Sequence, residues 1–446
     1  MSTPLPFAIK LAVLLLIVSE HSIAYMVPTY LAYMMEGFIT KDHNPDNLDS
    51  EISYHAATLE GLHRLMSFFG CFIWGIGRQQ SLILVLIGIT VSSIGFGLAW
   101  NFEVAVFWRC VAGICGGTVP ITKAMVRDIS DDSNIAILYS YFGTGHGFAA
   151  VLGPLLGGVL AHPYRIWPTI FDTQFFHDFP YFLPQLAHAL VTLIALVIII
   201  IYVPNKKATK IDKTPTTMLF KNFDYMIIIT IFGFVALVQF GFRMLLSLWI
   251  KLDQDKKGLG WESETNVGYV NSLAGIILIF FPLYFTPYLT KVFGVKKTCM
   301  LVITAMIPIS IAMPLYYFSS GILLWFLLAI SIGLFISLTT VFTSVISIAV
   351  SNSVSTELVG RAMGICQGYV ALFRSIANAG VGVLFGLIVD WNFSYPFNVD
   401  FIFYLCALVL GISVILMKYY ITPRIEKRQK DDDGLSEKNQ PLLTKK

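Results

Sequence analysis

The sequence predicts an all-α membrane protein, with twelve transmembrane helices in two six-helix bundles. Composition, the recurrence of long apolar runs and one polar linker near the middle carry that prediction. Of 446 residues, 56% are hydrophobic and 13% charged, and the mean hydropathy is +0.73. These values lie outside the range of a soluble domain. Runs long enough to cross about 30 Å of hydrocarbon recur along nearly the whole chain, so no room remains for a large soluble domain.

The spans fall near residues 8–35, 56–76, 81–100, 103–125, 135–160, 183–204, 224–250, 266–290, 297–318, 321–350, 362–389 and 399–421. Runs of this length satisfy their backbone polar groups as helices, whereas barrel strands would be shorter and alternating. The linker NKKATKIDKTPTTMLFKNFD divides the chain. The expected organisation is a first bundle over 1–204, a cytosolic linker over 205–223, a second bundle over 224–421, and a charged, disordered cytosolic tail over 422–446. A faint echo between GRQQS after span two and GVKKT after span eight agrees with duplication.

Basic residues orient the spans. Arg78, Arg127, Lys206 to Lys221, Lys291, Lys296, Lys297, Arg361 and the tail from Arg424 fall on one side, while Asp46, Asp49, Glu51, Asp172, Asp178, Asp390 and Asp400 fall on the other. The loop from Lys251 to Lys257 runs against this bias. Both termini are therefore expected in the cytosol. A cleaved signal peptide ending at Ala24 is the competing reading of the start, but the apolar run continues to Met35 and cleavage would leave an odd span count.

Several smaller signals bound the function. Cys71, Cys110, Cys115, Cys299, Cys366 and Cys406 lie inside spans without a CxxC pair, so they read as packing residues, not as a disulfide framework or metal site. There is no Gly-x-x-x-x-Gly-Lys-Ser/Thr phosphate loop and no His/Cys cluster. Neither an enzyme nor a bound cofactor or metal is implied. Asn392-Phe393-Ser394 is a glycosylation sequon close to the membrane, and EKNQPLL in the tail resembles an acidic dileucine sorting signal with its acid displaced by one position.

The stretch HGFAAVLGPLLGG raises the question of mechanism. Pro154 loosens a helix by removing a backbone bond, and Gly145, Gly147, Gly153, Gly157 and Gly158 strip its faces of bulk. A helix-five hinge at Gly145, Gly153, Pro154, Gly157 and Gly158 and a static small-residue seam are equally compatible with that composition. An arginine inside a span is costly, so Arg109 needs a polar interior and a partner, for which Glu20 and His146 are candidates. Glu20 is the best proton carrier by chemistry, and His146 the next. Glu60, His63 and Arg64 share about one turn of span two and line either the cavity or its solvated outer half. Gln239 and Arg243 share a face at i and i+4. Arg374 is suited to an anionic group or a helix end. The span-eight aromatics Phe280, Phe281, Tyr284, Phe285 and Tyr288 either pad an organic-cation site or face lipid.

The span-five stretch resembles the antiporter motif of the major facilitator superfamily. Gly145, Gly153, Pro154, Gly157 and Gly158 match it, and Ala149 replaces one glycine. WRCVAGICGG is similar to the superfamily's span-four arginine pattern. Within that superfamily the chain looks most like the zinc-induced facilitator-like and fungal multidrug branch, through SEHSIAYMVPTYLAYM, KAMVRD, the outer loop ending FPYFLP, SNSVSTELVGRAMG and ALFRSIANAGVGVLF. The resemblance implies a monomeric secondary transporter in the lipid bilayer that moves a small molecule or ion by proton-coupled antiport, with no nucleic-acid partner, in the vacuolar, lysosomal or plasma membrane. It also implies an inner gate at Gly77, Arg78, Lys123 and Asp128. Two departures bear on that gate: FIWGIGRQQS lacks the branch's aspartate, and Val359 stands where the branch has arginine. An uncoupled facilitator, or a non-transporting receptor on the same fold, are the rival readings. A cavity lined by Arg64, Arg109, Arg243 and Arg374 hints at anions or zwitterions.

Overall fold

A computed structural model describes residues 7–42, 47–73, 78–116, 118–129, 135–202, 217–354 and 358–421. The first half comprises α1 (Phe7–Asp42), α2 (Leu48–Ile73), α3 (Arg78–Gly97), α4 (Phe102–Ile114), α5 (Thr118–Ile129) and α6 (Ile135–Leu160). Three short loop helices follow, α7 (Pro163–Ile166), α8 (Pro168–Phe171) and α9 (Gln174–Asp178), and then the long α10 (Phe182–Tyr202). The second half comprises α11 (Thr217–Lys221), α12 (Phe223–Lys251), α13 (Glu264–Ala312), α14 (Gly321–Asn352), α15 (Val359–Trp391) and α16 (Asp400–Tyr420).

Among the described residues, nine helical stretches are long and apolar enough to cross a membrane. One of them, Glu264–Phe318, is two spans: the chain turns a corner at Gly294, whose φ of 75° suits glycine best. Spans two and four complete the twelve. They are less apolar because α2 carries Asp49, Glu51, Glu60 and Arg64, and because the fourth span breaks between Ile114 and Thr118.

The helix starts are locally encoded. Asn101 caps α4 by accepting the Val104 N–H at 3.0 Å, and Asn222 caps α12 by accepting the Tyr225 N–H at 3.1 Å. Three boundaries differ from the sequence reading. The first helix runs on to Asp42, the second starts at Leu48 because its polar first turn still closes helically, and the fourth is interrupted, not continuous.

The halves meet along two helix pairs, α2 with α15 and α6 with α13. Ser375 Oγ donates to the Gly61 carbonyl at 2.9 Å in the first pair, and Ser272 Oγ to the Val151 carbonyl at 2.9 Å in the second. At Gly158 a side chain would meet the Glu264 carbonyl at 2.7 Å and the Gly268 Cα at 2.9 Å, so glycine sets how closely α6 approaches α13.

Ties between the halves concentrate at the end of the molecule away from the chain termini. Lys251 Nζ pairs with Glu36 at 3.0 Å, Lys256 Nζ with Asp49 at 2.6 Å, and His162 Nδ1 with Glu264 at 2.5 Å. Tyr33 OH donates to the Trp261 carbonyl at 2.6 Å, and Tyr54 OH to Asp390 at 2.9 Å. Two of the three lysines of the 251–257 loop that oppose the charge bias thus find acids across the interface, and Lys257 lies over the Tyr395 ring. At the opposite end Lys123, Gly143, Thr144 and Gly364 are exposed. The sequon residue Asn392 is exposed in the turn that ends α15, while the dileucine-like tail lies outside the described residues.

Candidate functional site

Three guanidinium groups from three helices converge on one ring. The Cζ atoms of Arg64 on α2 and Arg374 on α15 each lie 4.9 Å from the centroid of Phe240 on α12, and that of Arg243 lies 5.5 Å from it. Arg243 also sits 4.3 Å over Tyr25 of α1. The ring quadrupole attracts each cation. The cations repel one another, by about 2 kcal/mol per pair at 10 Å and an effective dielectric near 20. Among the described residues, the Nε–H groups of Arg64 and Arg243 are buried without a hydrogen-bond partner.

Glu20 of α1 is half-buried and lies within interaction range of Thr118, Arg64 and Arg374. His21 turns away from it, with Nδ1 3.1 Å from the Ile17 carbonyl and its ring 4.5 Å from that of His146. His146 Nε2 is 2.9 Å from Tyr25 OH. Glu20 and His146, the two expected proton carriers, therefore flank the arginine cluster from two sides, with Tyr25 linking His146 to Arg243.

Arg109 has a different partner from the two expected. Its Nε–H donates to Glu60 Oε1 at 3.1 Å and its Nη2 bonds the same oxygen, in a pair only 2% and 4% exposed. Glu20 and His146 lie on other helices, whereas α2 and α4 are direct neighbours. His63 Nδ1, 2.9 Å from the Arg109 carbonyl, completes the contact. Glu60 and His63 are thus buried, and of the α2 trio Arg64 reaches the Phe240 ring while Glu60 borders the same space.

Gln239 also departs from expectation. Its amide donates to Thr339 Oγ1 at 3.2 Å, inside the second half, and leaves the cavity face of α12 to Phe240, Arg243 and Ser247. Phe240 is one of 35 phenylalanines and carries no signal of its own in the sequence. Of the span-eight aromatics, Phe280, Tyr284, Phe285 and Tyr288 are exposed and Phe281 stacks on Phe285, and none of the five borders the two central cavities described below.

Two small cavities lie at the centre. A cavity of about 40 Å³ lies between Tyr25, Pro28, Ala150, Pro154 and Arg243, and a second of about 20 Å³ touches Glu60, Arg64, Phe240, Arg243 and Asn378. Each admits about one to three waters.

The helix-five residues form a tight seam. A side chain at Gly153 would meet the Ser22 carbonyl of α1 at 2.7 Å, and Gly158 meets α13 as described above, while α6 stays helical through Pro154. Of the expected inner gate, Gly77 and the side chains of Arg78 and Asp128 lie outside the described residues. Lys123 is exposed, with Nζ 5.8 Å from the Phe142 ring. Cys110, Cys115, Cys299, Cys366 and Cys406 are not joined in disulfides.

Residues 64–378 match the sequence profile described as Major Facilitator Superfamily. The chain belongs to the major facilitator superfamily. It is similar to Protein ZINC INDUCED FACILITATOR 1 of Arabidopsis thaliana, 25% identical over 393 residues that cover 80% of this chain and 79% of that one. It is also similar to the major facilitator superfamily multidrug transporter mfsB of Aspergillus fumigatus, 28% identical over 184 residues covering 40% and 30%. In three dimensions it superposes on a D-xylose-proton symporter with a TM-score of 0.73 at 14% identity, over 95% of this chain and 99% of that one. This major facilitator protein is accordingly an integral, multi-pass membrane transporter of small solutes, related to the branch its motifs resemble, and not an enzyme.

Proposed function

We propose that the protein is a proton-coupled secondary active transporter, in which two six-helix bundles, 1–204 and 224–421, rock about the arginine-lined centre and open it to each side in turn. The observation that carries this reading is Glu20, a half-buried carboxyl within range of Arg64 and Arg374 at the meeting point of the halves. A carboxyl there changes the charge of the solute site by one unit when it takes a proton, which is the minimum that coupling requires. His146 serves as a second proton-carrying group through Tyr25. The inner gate lies at Gly77, Arg78, Lys123 and Asp128, and the helix-five glycines with Pro154 act as the hinge against α1 and α13.

With both termini cytosolic, the end sealed by the Lys251, Lys256 and His162 pairs is the outer one. The membrane is vacuolar, lysosomal or plasma membrane, and one chain suffices. The span-five motif favours exchange of solute against proton. The arginines around Glu20 favour a second sense, in which a negatively charged solute and the Glu20 carboxylate compete for the same cations and solute travels with the proton.

The test is uptake of a mixed metabolite and drug panel into proteoliposomes under a pH gradient, with wild type against Glu20→Gln. Gradient-driven uptake lost in the variant is the expected result, and the direction of the effective gradient separates exchange from co-transport. Uptake indifferent to gradient and substitution would make the protein a facilitator. No uptake by folded wild-type protein would favour a receptor on the same fold.

A further inference from the structure

The charge at the centre is unbalanced, and the imbalance has a shape. Among the described residues, Glu20 and Glu60 are the only acids in span interiors, and every other acid lies at or beyond a span end. Glu60 is bonded to Arg109, so its charge is largely matched there although it also faces Arg64. What remains around Phe240 is Arg64, Arg243 and Arg374, three cations faced by Glu20 and, at Arg64, by the Glu60 that Arg109 already holds. The other titratable groups facing this region supply no negative charge. His21 and His146 lie to one side on α1 and α6. His63 bonds the Arg109 carbonyl, and His188 of α10 bonds the Ser19 carbonyl at 2.9 Å. Lys123 on α5 is exposed.

From this geometry we infer that the transported solute is a small organic anion carrying two negative charges, held by Arg64, Arg243 and Arg374 around Phe240 and bound together with a proton on Glu20. The inference rests on the transport reading above and names its substrate class. Three cations gathered within 5.5 Å of one ring are preorganised for an anion with charge at more than one point, as two carboxylates or one phosphate group provide. The buried Nε–H groups of Arg64 and Arg243 are donors ready for its oxygens. Arg109 is excluded from the set because Glu60 already occupies it. An ionised Glu20 competes with the solute for the same guanidinium groups, so proton and dianion bind together and leave together, the reverse of exchange. Phe240 and Tyr25 keep the arginines apart when the site is empty and offer the solute's carbon skeleton an apolar surface.

Thermal-shift and calorimetric binding to the purified full-length protein in detergent tests this without any gradient. The probes are succinate and glutarate, phenyl phosphate, acetate, glucose and tetraethylammonium, each at pH 5.5 and 7.5, with every affinity referred to the fully ionised fraction of the acid because the second ionisations fall inside this range. At least one dianion should raise Tm, bind at least tenfold more tightly than acetate and bind better at the lower pH. Glucose and tetraethylammonium should do nothing. The carboxylate and phosphate arms distinguish the two sources of the charge. Arg243→Gln and Arg374→Gln should each weaken the dianion at least tenfold, with Arg243→Lys recovering part of the loss. Glu20→Gln should bind it equally at both pH values. Stabilisation by tetraethylammonium or glucose alone, by no dianion, or by a dianion equally well in the arginine variants would overturn the assignment, and the wild-type panel decides even if a variant fails to fold. Binding without uptake in proteoliposomes would refute transport but leave the anion site. Gradient-driven, Glu20-dependent uptake of a non-anion would do the reverse.

Discussion

Arg109 of α4 and Glu60 of α2 form a buried ion pair in which two nitrogens of one guanidinium share a single carboxylate oxygen. The pair ties the fourth span to the second, beside the helix break that follows Ile114. A buried pair adds little over an apolar replacement, but breaking it strands a charge and costs about 3 to 5 kcal/mol. Glu60→Gln alone should therefore lower the apparent Tm in detergent sharply, while Glu60→Gln with Arg109→Gln should recover most of the loss. Equal losses in single and double variants would show that the pair is not the source of the stability.

The contrast between adjacent residues on α12 separates centre from scaffold. Phe240→Ala removes the ring shared by three guanidinium groups and should cut transport at least tenfold, since each cation–ring contact is worth about 0.5 to 2 kcal/mol. Gln239→Ala removes one bond to Thr339 and should cost about 1 kcal/mol of stability with transport nearly intact. Initial uptake rates at matched expression compare the two, and a larger effect at Gln239 would count against the arginine cluster as the working centre.

Gly158 and Gly143 lie on the same helix in opposite surroundings. Gly158 abuts the α13 backbone, whereas a side chain at Gly143 meets nothing within 4 Å. Gly158→Val should separate α6 from α13, cost about 1 to 3 kcal/mol and abolish the sealed state. Gly143→Ala should be neutral. Melting curves and spin-label distances between Trp100 and Ile322, both exposed near the sealed end, give the comparison; unchanged distances in Gly158→Val would refute the seam's role.

The outer ion pairs are partly exposed, so each should contribute only about 0 to 1 kcal/mol. Their effect is better read in populations, where about 1.4 kcal/mol moves an equilibrium tenfold. Lys251→Met with Lys256→Met should leave Tm within a few degrees yet lengthen the same spin-label distance in a measurable fraction of molecules. A wild-type distance distribution in the double variant would mean that the hydrogen bonds of Tyr33 and Ser247 hold the seal alone.

The fold was legible in the sequence because lipid imposes one rule on every span, and apolar runs bounded by charged loops record that rule directly. Even the corner at Gly294 was visible, as the polar GVKKT between two runs. The second span was harder, since Glu60, His63 and Arg64 dilute its hydropathy for reasons that lie in its partners. Site membership was half legible: costly charges inside spans marked Glu20, Arg64, Arg109, Arg243 and Arg374. Their pairing was not, because Glu60 meets Arg109 across 49 positions of chain through helix neighbours that periodicity does not order. Phe240 was invisible for a simpler reason, since an aromatic in a membrane helix has no cost that would single it out.

The lysines of the 251–257 loop have a consequence for biogenesis. During synthesis this loop follows α12 into a bilayer whose charge rule favours keeping its basic residues on the other face. The acids that neutralise two of them, Glu36 and Asp49, belong to the half made first. Ribosomal order thus delivers the counter-charges before the residues that need them, so the first half acts as an assembly template for the second, and the two halves synthesised in reverse order should insert with lower topological fidelity.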